Sequence, residues 1–212
     1  MTILQPSRHC ERAVSDRTAL DALLDRGRVA HVALNTEDGQ PLVLPTAYAR
    51  DGDRLIIHGA PASPWHTRAA AGAPVCVAVS EVSAVVVGRG AGAASLRYAS
   101  AVLFGSFVVL PDEQKAAALR TLTDHLVPGG AARLVPPTPT DVAGTLVLAL
   151  PIDRWSLKAN DGWPHDAADP ELTGWAGIVP LVTTWGEPVA APGLQPPLNA
   201  PDEIRALAGR PA

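Results

Sequence analysis

Residues 96–110, LRYASAVLFGSFVVL, decide which fold this chain is expected to adopt. Residues 101–110 are almost wholly apolar, and a Pro-Asp pair follows them directly. A short apolar run that is rich in valine and bounded by turn residues predicts a strand buried on both faces. The stretch begins differently, because Arg97, Tyr98 and Ser100 bring polar groups to the start of this strand. We therefore expect a buried strand with a polar mouth, which is a suitable place to hold a ligand.

Length and charge restrict the class of protein. The chain has 212 residues, with 17 Lys and Arg against 21 Asp and Glu. This length suits one domain with a sizeable core. The near balance of charges, without a basic stripe, argues against nucleic acid as the main partner. No apolar run reaches the ~18 residues that a membrane-spanning helix needs.

The N-terminal residues and the two cysteines bear on the location of the protein in the cell. The first twelve residues lack the basic start and apolar core of a secretory signal. Cys10 and Cys76 lie far apart and have no CxxC partner, which predicts free thiols rather than a disulfide framework or a metal site. We expect a cytoplasmic protein that does not bind a membrane.

The strands expected along the chain are short and lie in hairpin spacing, with Asp-Gly turns at residues 38–39 and 51–52. They are expected at residues 28–34, 41–49, 54–58, 74–79, 84–87, 96–110 and 145–151, the last continuing to Lys158. Strands and helices do not alternate one for one. The pattern therefore predicts a mainly β fold, an antiparallel barrel of six or seven strands with two or three peripheral helices.

Helices and loops occupy the intervals between these strands. Ser15 or Asp16 is expected to cap a first helix, which Gly27 ends in the usual glycine manner. A short helix is expected over 67–73, ended by Gly72, and the best helix begins after Pro111 with acidic residues in its first turn. Residues 88–95 and 136–141 are expected to be loops. We divide the chain into an N-terminal arm (1–14), one domain (15–187) and a proline-rich extension (188–212).

Two features of these strands indicate a ligand site. Pro45 lies inside the strand expected at 41–49, which indicates a sheet edge, a bulge or backbone that faces something other than a strand. His58, Gly59 and Ser63 lie at a strand end just before a helix, where free backbone N–H groups favour an anion. Ser63 followed by proline is equally typical of a simple helix cap. Arg68 or Arg97 could add charge-assisted hydrogen bonds to an anion.

Common catalytic motifs are absent from the sequence. It contains no GxGxxG opening a helix, no GxxxxGK[ST], no HExxH and no GxSxG. His31, inside the strand expected at 28–34, is interpreted as a core or interface histidine. Five tryptophans stand against two Phe and two Tyr, and four of the five follow residue 150. Each tryptophan is interpreted first as structural, although Trp also lines sites for flat ligands.

Several pieces of the chain, in order, resemble the pyridoxamine 5'-phosphate oxidase-like flavoproteins of the FMN-binding split-barrel fold. The resemblance is greatest to the branch of flavin-nucleotide-binding proteins that includes nitroimidazole-resistance reductases. The matching pieces are RHCER (8–12), RVAHVAL (28–34), LVLPTAYARDGDRLIIHGA (42–60), AGAPVCVAV (71–79), RYASAVLFGSFVVL (97–110), DHLVPGG (124–130), LALPIDRWSLK (148–158) and WAGIVPL (175–181). They span nearly the whole chain.

The resemblance implies a homodimer that binds FMN between its subunits. It implies that Pro45 and Thr46 lie along the flavin ring and that Ser100 reaches the flavin. It also implies that Trp175 approaches from the partner side. The residues expected near the ribityl phosphate are His58, Gly59 and Ser63, with Arg68 and Arg97 as possible cationic contacts. The candidate catalytic residues are His58, Tyr98 and Lys158.

The chain departs from this family where FMN phosphate would bind. Pro64 and Ala99 stand where family members usually carry basic residues, and residues 158–164 replace the usual Lys-Val-Arg-x-Gly-Pro. A charge-assisted hydrogen bond to phosphate is worth roughly 1.5–3 kcal/mol. Arg97 lies two residues before Ala99, and residues i and i+2 of a strand share a face. Arg97 could therefore serve the same side as the missing cation.

Three hypotheses about function follow. The first is an FMN-dependent oxidoreductase that acts on a small molecule. The second is a split barrel that has lost FMN and uses a remodelled pocket, with Trp65 and Trp163 in its wall, for another ligand such as F420 or haem. His66 or His165 would then be the candidate iron ligand. The third is a structural or regulatory dimer without chemistry.

Overall fold

Antiparallel strands dominate the chain. The computed structural model describes residues 9–133, 135–194 and 199–212. The strands are β1 Ala13–Val14, β2 Val29–Asn35, β3 Pro41–Ala47, β4 Ala49–Asp51, β5 Arg54–Gly59, β6 Pro74–Val87, β7 Ser95–Ser106, β8 Val108–Val109, β9 Leu146–Pro151, β10 Trp155–Asn160 and β11 Gly177–Pro180. The helices are α1 Arg17–Arg26, α2 Pro64–Ala70, α3 Asp112–Leu126, α4 Pro139–Gly144 and α5 Asp202–Arg205, with 3-10 turns at Cys10–Arg12 and Gly130–Arg133. A mainly β fold with peripheral helices is thereby confirmed.

The strands form two sheets. The larger has the order β1-β10-β7-β6-β2-β3, with β11 paired to β6, and the smaller has the order β4-β5-β9-β8. The pairings whose register is defined are all antiparallel. The two sheets do not close into one continuous barrel, which is the split-barrel fold predicted from the resemblance.

The chain divides into two compact units. The first unit comprises the described residues up to Val82 together with Arg97–Gly162. The second comprises Ser83–Leu96 and the described residues from Trp163 onward. The predicted bounds of the arm, the domain at 15–187 and the extension stay a prediction, and residues 1–8 of the arm lie outside the described residues.

The core of the first unit is built beneath α1. Asp16 accepts a hydrogen bond from the Thr18 amide at 2.9 Å, which confirms Asp16 as the cap. Three leucines of this helix are almost fully buried in the larger hydrophobic cluster, namely Leu20, Leu23 and Leu24. Leucines spaced at three and four residues place one apolar stripe against the sheets. A second, smaller cluster lies between α3 and the smaller sheet, as its members Ile56, Ala118 and Leu122 show.

Gly27 ends α1, but the expected left-handed glycine cap is wrong. Its φ is −68° and its backbone is extended. A Cβ atom at this position would lie 2.5 Å from the Tyr48 hydroxyl oxygen, far inside contact distance. The hydroxyl of buried Tyr48 donates to the Leu24 carbonyl at 2.8 Å. Glycine is therefore required here for close approach rather than for a positive φ.

The strand that opened the sequence analysis is not buried on both faces. Within β7, Ala101 and Leu103 are fully buried, while the residues between and after them are half-buried. The short β8 is exposed, with 57% of Val108 accessible. The apolar run therefore has one face toward the core, as is usual for an antiparallel strand.

Three other predicted boundaries are wrong. Residues 74–79 and 84–87 belong to one continuous strand, β6, whose exposed polar residues resemble a turn in the sequence. Residues 145–158 form two strands, because the chain turns after Pro151 and continues in the other sheet. Residues 41–49 are divided at Tyr48 between the two sheets. In each case pairing with distant strands, rather than local composition, sets the boundary.

The remaining helices, strands and loops agree in part with those predicted from the sequence. Helix α3 and the loop before Ser95 are confirmed, and Gly72 has φ +83° after α2. Helix α4 lies partly within the segment expected to be a loop, since Thr138 and Asp141 form a reciprocal capping box. Strands β1 and β11 and helix α5 were not predicted. Among the described residues, no helix is long and apolar enough to cross a membrane.

Candidate functional site

Strand β3 is the terminal strand in the order of the larger sheet. Pro45 pairs with His31 and Thr46 with Ala30 of β2. Pro45 is exposed and Thr46 is half-buried. Since the sheet order ends here, the missing N–H of Pro45 removes no bond to a further strand, and of the three predicted alternatives the structure shows the sheet edge. His31 is exposed rather than part of the core.

The strand end before α2 has the predicted layout. His58 is exposed and Gly59 half-buried at the end of β5, and Ser63 occupies the N-cap position of α2. The Ser63 side chain makes no capping hydrogen bond, although its carbonyl accepts from the Thr67 amide at 3.0 Å. The position expected of a cap is therefore confirmed, but the expected cap bond of the Ser63 hydroxyl is not formed.

His66 is buried within α2, with 8% of its surface accessible. Both ring nitrogens are inaccessible, and neither makes a well-formed hydrogen bond. The Trp65 ring stacks on the imidazole with centroids 3.6 Å apart. Burial lowers the pKa of His66 below its usual value, and a hydrogen bond with the His58 backbone opposes that pKa shift less strongly. His66 is therefore a neutral imidazole at neutral pH.

A cavity of about 340 Å³ lies beside α2 in the first unit. Its wall combines apolar and charged side chains: Leu34, Leu42, Pro64, Trp65, Glu37 and Arg68, with Asn35 and Thr36. The Arg68 guanidinium donates to the carbonyl of Asn35 at the end of β2. Arg68, predicted to assist an anion site, thus lies in the wall of a cavity that also contains a carboxylate.

The polar residues of β7 are brought together with those of β10. Ser100 lies opposite Lys158, and Tyr98 lies opposite Asn160. Residues directly opposite each other in an antiparallel pair share a face. The four are half-buried, whereas Ala101, the next residue of β7 after Ser100, belongs to the core. We call Tyr98, Ser100, Lys158 and Asn160 the polar row. Asn160 was missed by the sequence analysis, because only the register shows that it adjoins Tyr98.

Arg97 and Ala99 lie on the opposite face of β7 from the polar row. Ala99 packs against the hydrophobic core. The Arg97 Nε donates to the carbonyl of Gly162 at 3.2 Å. Arg97 thus shares the face of Ala99, as the sequence predicted, and is bonded to the segment after β10. It does not lie on the face that carries Ser100 and Lys158.

The second unit carries a carboxylate cradle that the sequence analysis missed. Asp166 is buried, and its Oδ2 accepts from the backbone amides of Arg89 and Gly90 at 2.7 and 2.6 Å. These amides hold the pKa of Asp166 below its usual value. The Arg89 guanidinium donates to the carbonyls of Asp169 and Leu172 at 2.7 and 2.5 Å. The glycine-rich loop at 88–94 therefore anchors the segment 166–172.

The tryptophans are divided between the units. Trp65 and Trp155 pack against the core of the first unit. In the second unit Trp163 is 68% and Trp175 is 64% exposed, and His165 is also exposed. Among the described residues, no three His, Cys, Asp or Glu side chains come together as they would around a metal ion.

Known proteins with the same architecture define the class. A family model described as pyridoxamine 5'-phosphate oxidase matches residues 16–159. A solved structure of an "FAD and Heme binding protein" from Mycobacterium smegmatis is 43% identical, over 93% of this chain and 98% of that chain, with a TM-score of 0.86. The flavocytochrome Anf3 from Azotobacter vinelandii is 29% identical over 95% and 94% of the two chains, with a TM-score of 0.84.

A more distant structure shares the fold. It is described as a putative 5-nitroimidazole antibiotic resistance protein from Bacteroides thetaiotaomicron, and it is 20% identical over 69% of this chain and 85% of its own, with a TM-score of 0.58. A search of curated proteins returned no match. The class is that of flavin-binding split-barrel proteins. This chain belongs to the pyridoxamine 5'-phosphate oxidase-like family, as its motifs predicted.

Proposed function

We propose that this protein is a flavin-dependent oxidoreductase that also binds haem and acts on a small molecule. The observation that carries the proposal is the polar row on β7 and β10, in a chain 43% identical to a protein described as binding FAD and haem. The similarity to a flavocytochrome over 95% of this chain supports the same assignment. A bound flavin supplies the hydride and electron chemistry, so the protein needs chiefly to bind and orient it.

Each residue of the polar row has a specific part in the proposal. The Lys158 ammonium places positive charge on a half-buried face, where it favours an electron-rich or anionic ligand. The Ser100 and Tyr98 hydroxyls on the same face can donate hydrogen bonds that set the orientation of a flat ring. Pro45 and Thr46 offer a strand edge along which such a ring can lie.

We propose FAD as the bound flavin. FMN, the flavin expected from the family, is the alternative, and the titration described below distinguishes the two. The terminal phosphate of FMN is dianionic and favours several cations. Pro64 and Ala99 provide none, Arg97 is bonded to Gly162, and Arg68 is bonded to Asn35. The diphosphate of FAD has no dianionic terminus, and its adenosine half can make additional contacts.

We also propose a homodimer. Exposed apolar side chains lie in β11 and on both sides of it along the chain, in the second unit, and a patch of this kind commonly marks a protein interface. The patch comprises Trp175, Val179, Leu181 and Val182, which are 49–72% exposed. Light scattering coupled to size-exclusion chromatography should give twice the 22.0 kDa chain mass. A strictly monomeric protein would contradict this part of the proposal.

Titration of flavin-free protein with FAD and with FMN tests the proposed function. We expect tighter binding of FAD, and Lys158→Met should weaken it about tenfold or more, because it removes one charge-assisted contact. Arg120→Met, on the exposed side of α3, is the matched control and should bind FAD as the wild type does. Tighter binding of FMN would replace FAD in the assignment. A colourless protein that neither flavin changes would refute the function.

A further inference from the structure

We propose that the cavity beside α2 holds the adenosine half of FAD. This inference rests on the flavin binding proposed above, and it adds the residues that select FAD over FMN. The cavity has a volume of about 340 Å³, and the residues around it all belong to the first unit. Its walls come from the end of β2, the turn after β2, the start of β3 and one face of α2.

The volume of the cavity suits one nucleoside rather than a larger ligand. Small-molecule cavities in proteins span roughly 300–1,000 Å³, so a cavity of about 340 Å³ lies at the lower end of that range. A nucleoside consists of one flat base and one sugar, whereas complete FAD adds a three-ring flavin, a ribityl chain and two phosphates. We therefore place only the adenosine half in the cavity, and the flavin ring stays at the strand edge formed by Pro45 and Thr46.

The apolar part of the wall suits a flat base. Leu34 and Leu42 lie directly opposite each other in the pairing of β2 with β3, and both border the cavity. Trp65 borders it from α2 and is only half-buried, so its ring retains accessible surface. An aromatic side chain stacks on the π face of any base, and apolar side chains cover the rest of the base. Adenine therefore has both kinds of contact available here.

The polar part of the wall suits a ribose rather than a terminal phosphate. Glu37 and Arg68 both border the cavity, so its wall carries one carboxylate and one guanidinium. Arg68 follows Trp65 by three residues, which places both on one face of α2. A carboxylate accepts hydrogen bonds from ribose hydroxyls and repels a dianionic phosphate. Because the two charges of the wall balance, the cavity favours the neutral nucleoside end of FAD over the phosphate of FMN.

Strand β3 connects the cavity to the proposed position of the flavin ring. Leu42 and Thr46 lie four residues apart in β3, and both are half-buried on the same face, because alternate residues of a strand share a face. Four residues of extended strand span roughly 13 Å. The ribityl chain and the two phosphates of FAD lie between its ring systems and can bridge a gap of this size. FMN ends at its phosphate and has no group to fill the cavity.

The experiment titrates the flavin-free full chain with FAD and with FMN, followed by flavin fluorescence, and compares the two dissociation constants. The wild type should bind FAD more tightly. Glu37→Gln and Trp65→Leu should each weaken FAD binding about fivefold or more, because one removes a charged acceptor and the other a stacking surface. Both variants should bind FMN as the wild type does. Glu113→Gln, in the exposed first turn of α3, is the matched control and should leave both dissociation constants unchanged.

The outcomes separate this inference from the proposed function. If the wild type binds neither flavin, both are wrong. If it prefers FMN, or if the two variants weaken FAD and FMN binding equally or not at all, the adenosine site is wrong while flavin binding stands. Circular dichroism and thermal unfolding verify that each variant folds. If Trp65→Leu does not fold, Glu37→Gln decides alone, because Glu37 is exposed in a turn. A loss confined to FAD then supports the site, and an equal or absent loss overturns it.

Discussion

Gly59→Ala should destabilise this protein through a single contact. The mutation adds one methyl group at the end of β5, where the His66 ring already occupies the space. The new Cβ would lie 2.1 Å from two ring atoms, well inside any real carbon contact. The imidazole cannot swing aside freely, because Trp65 stacks on it and the ring is buried. Either the ring or the start of α2 must shift.

The expected loss follows from the cost of overpacking a filled site. Forcing an extra methyl group into a well-packed region typically costs about 1–3 kcal/mol of unfolding free energy. For a chain of this size, each kcal/mol lowers the melting temperature by roughly 2–4 °C. The loss has a single cause, so removing the ring should remove most of it. The double mutant Gly59→Ala, His66→Ala should therefore show a coupling of about 0.5–3 kcal/mol.

Urea unfolding followed by circular dichroism measures these values, at one protein concentration and without added flavin or haem. Gly144→Ala is the matched control, because nothing lies within 4 Å of a Cβ built at Gly144 and its φ is not positive. We expect Gly144→Ala to change stability by less than about 1 kcal/mol. If Gly59→Ala is as stable as the wild type, or if the double mutant is simply additive, the close packing of His66 against Gly59 does not exist as described.

Three further predictions concern buried polar groups. The pKa of Asp166 lies below its usual value of 3.8, so the stability that its carboxylate contributes is present above pH 3.8 and is lost as the pH falls through the lowered pKa. Hydrogen exchange of the Arg89 and Gly90 amides should accelerate over that pH range. Asp166→Asn should abolish this pH dependence. Tyr48→Phe leaves the Leu24 carbonyl without its donor and should cost about 1 kcal/mol in urea unfolding; an unaltered stability would contradict that hydrogen bond. The pKa of His66 lies below 6.5, so the protein should lose stability as the pH falls below 6.5 through this lowered pKa, whereas His66→Phe should lose less over the same range.

Local signals allowed much of the fold to be predicted. The cap of α1, predicted as Ser15 or Asp16, is Asp16, and acidic residues occupy the first turn of α3 as predicted, because capping and dipole effects depend on neighbours along the chain. Pro45 indicated a sheet edge, a bulge or backbone that faces something other than a strand, because a proline cannot donate a ladder hydrogen bond, and the structure shows the edge. The family was identified from ordered motifs that span most of the chain.

Other features could not be predicted, because they depend on residues far apart in the sequence. Tyr48 divides two strands, since its side chain enters the core while the backbone passes from one sheet to the other. Glycine at position 27 was interpreted as a left-handed cap, although the tyrosine hydroxyl is the actual reason for it. The carboxylate of Asp166 has no motif, because backbone amides bind it.

The sequence by itself determined a mainly β, antiparallel class with helices set between its strands, because turn residues, helix caps and apolar spacing act over a few residues. The split-barrel fold was predicted from the resemblance of its ordered motifs to a known family. The sequence also determined which polar residues stand at the start of β7. The tertiary structure decided what those residues adjoin. Strand register placed Ser100 beside Lys158 and turned Arg97 to the other face. Packing alone buried His66 and made both of its ring nitrogens inaccessible, because burial is a property of the assembled core.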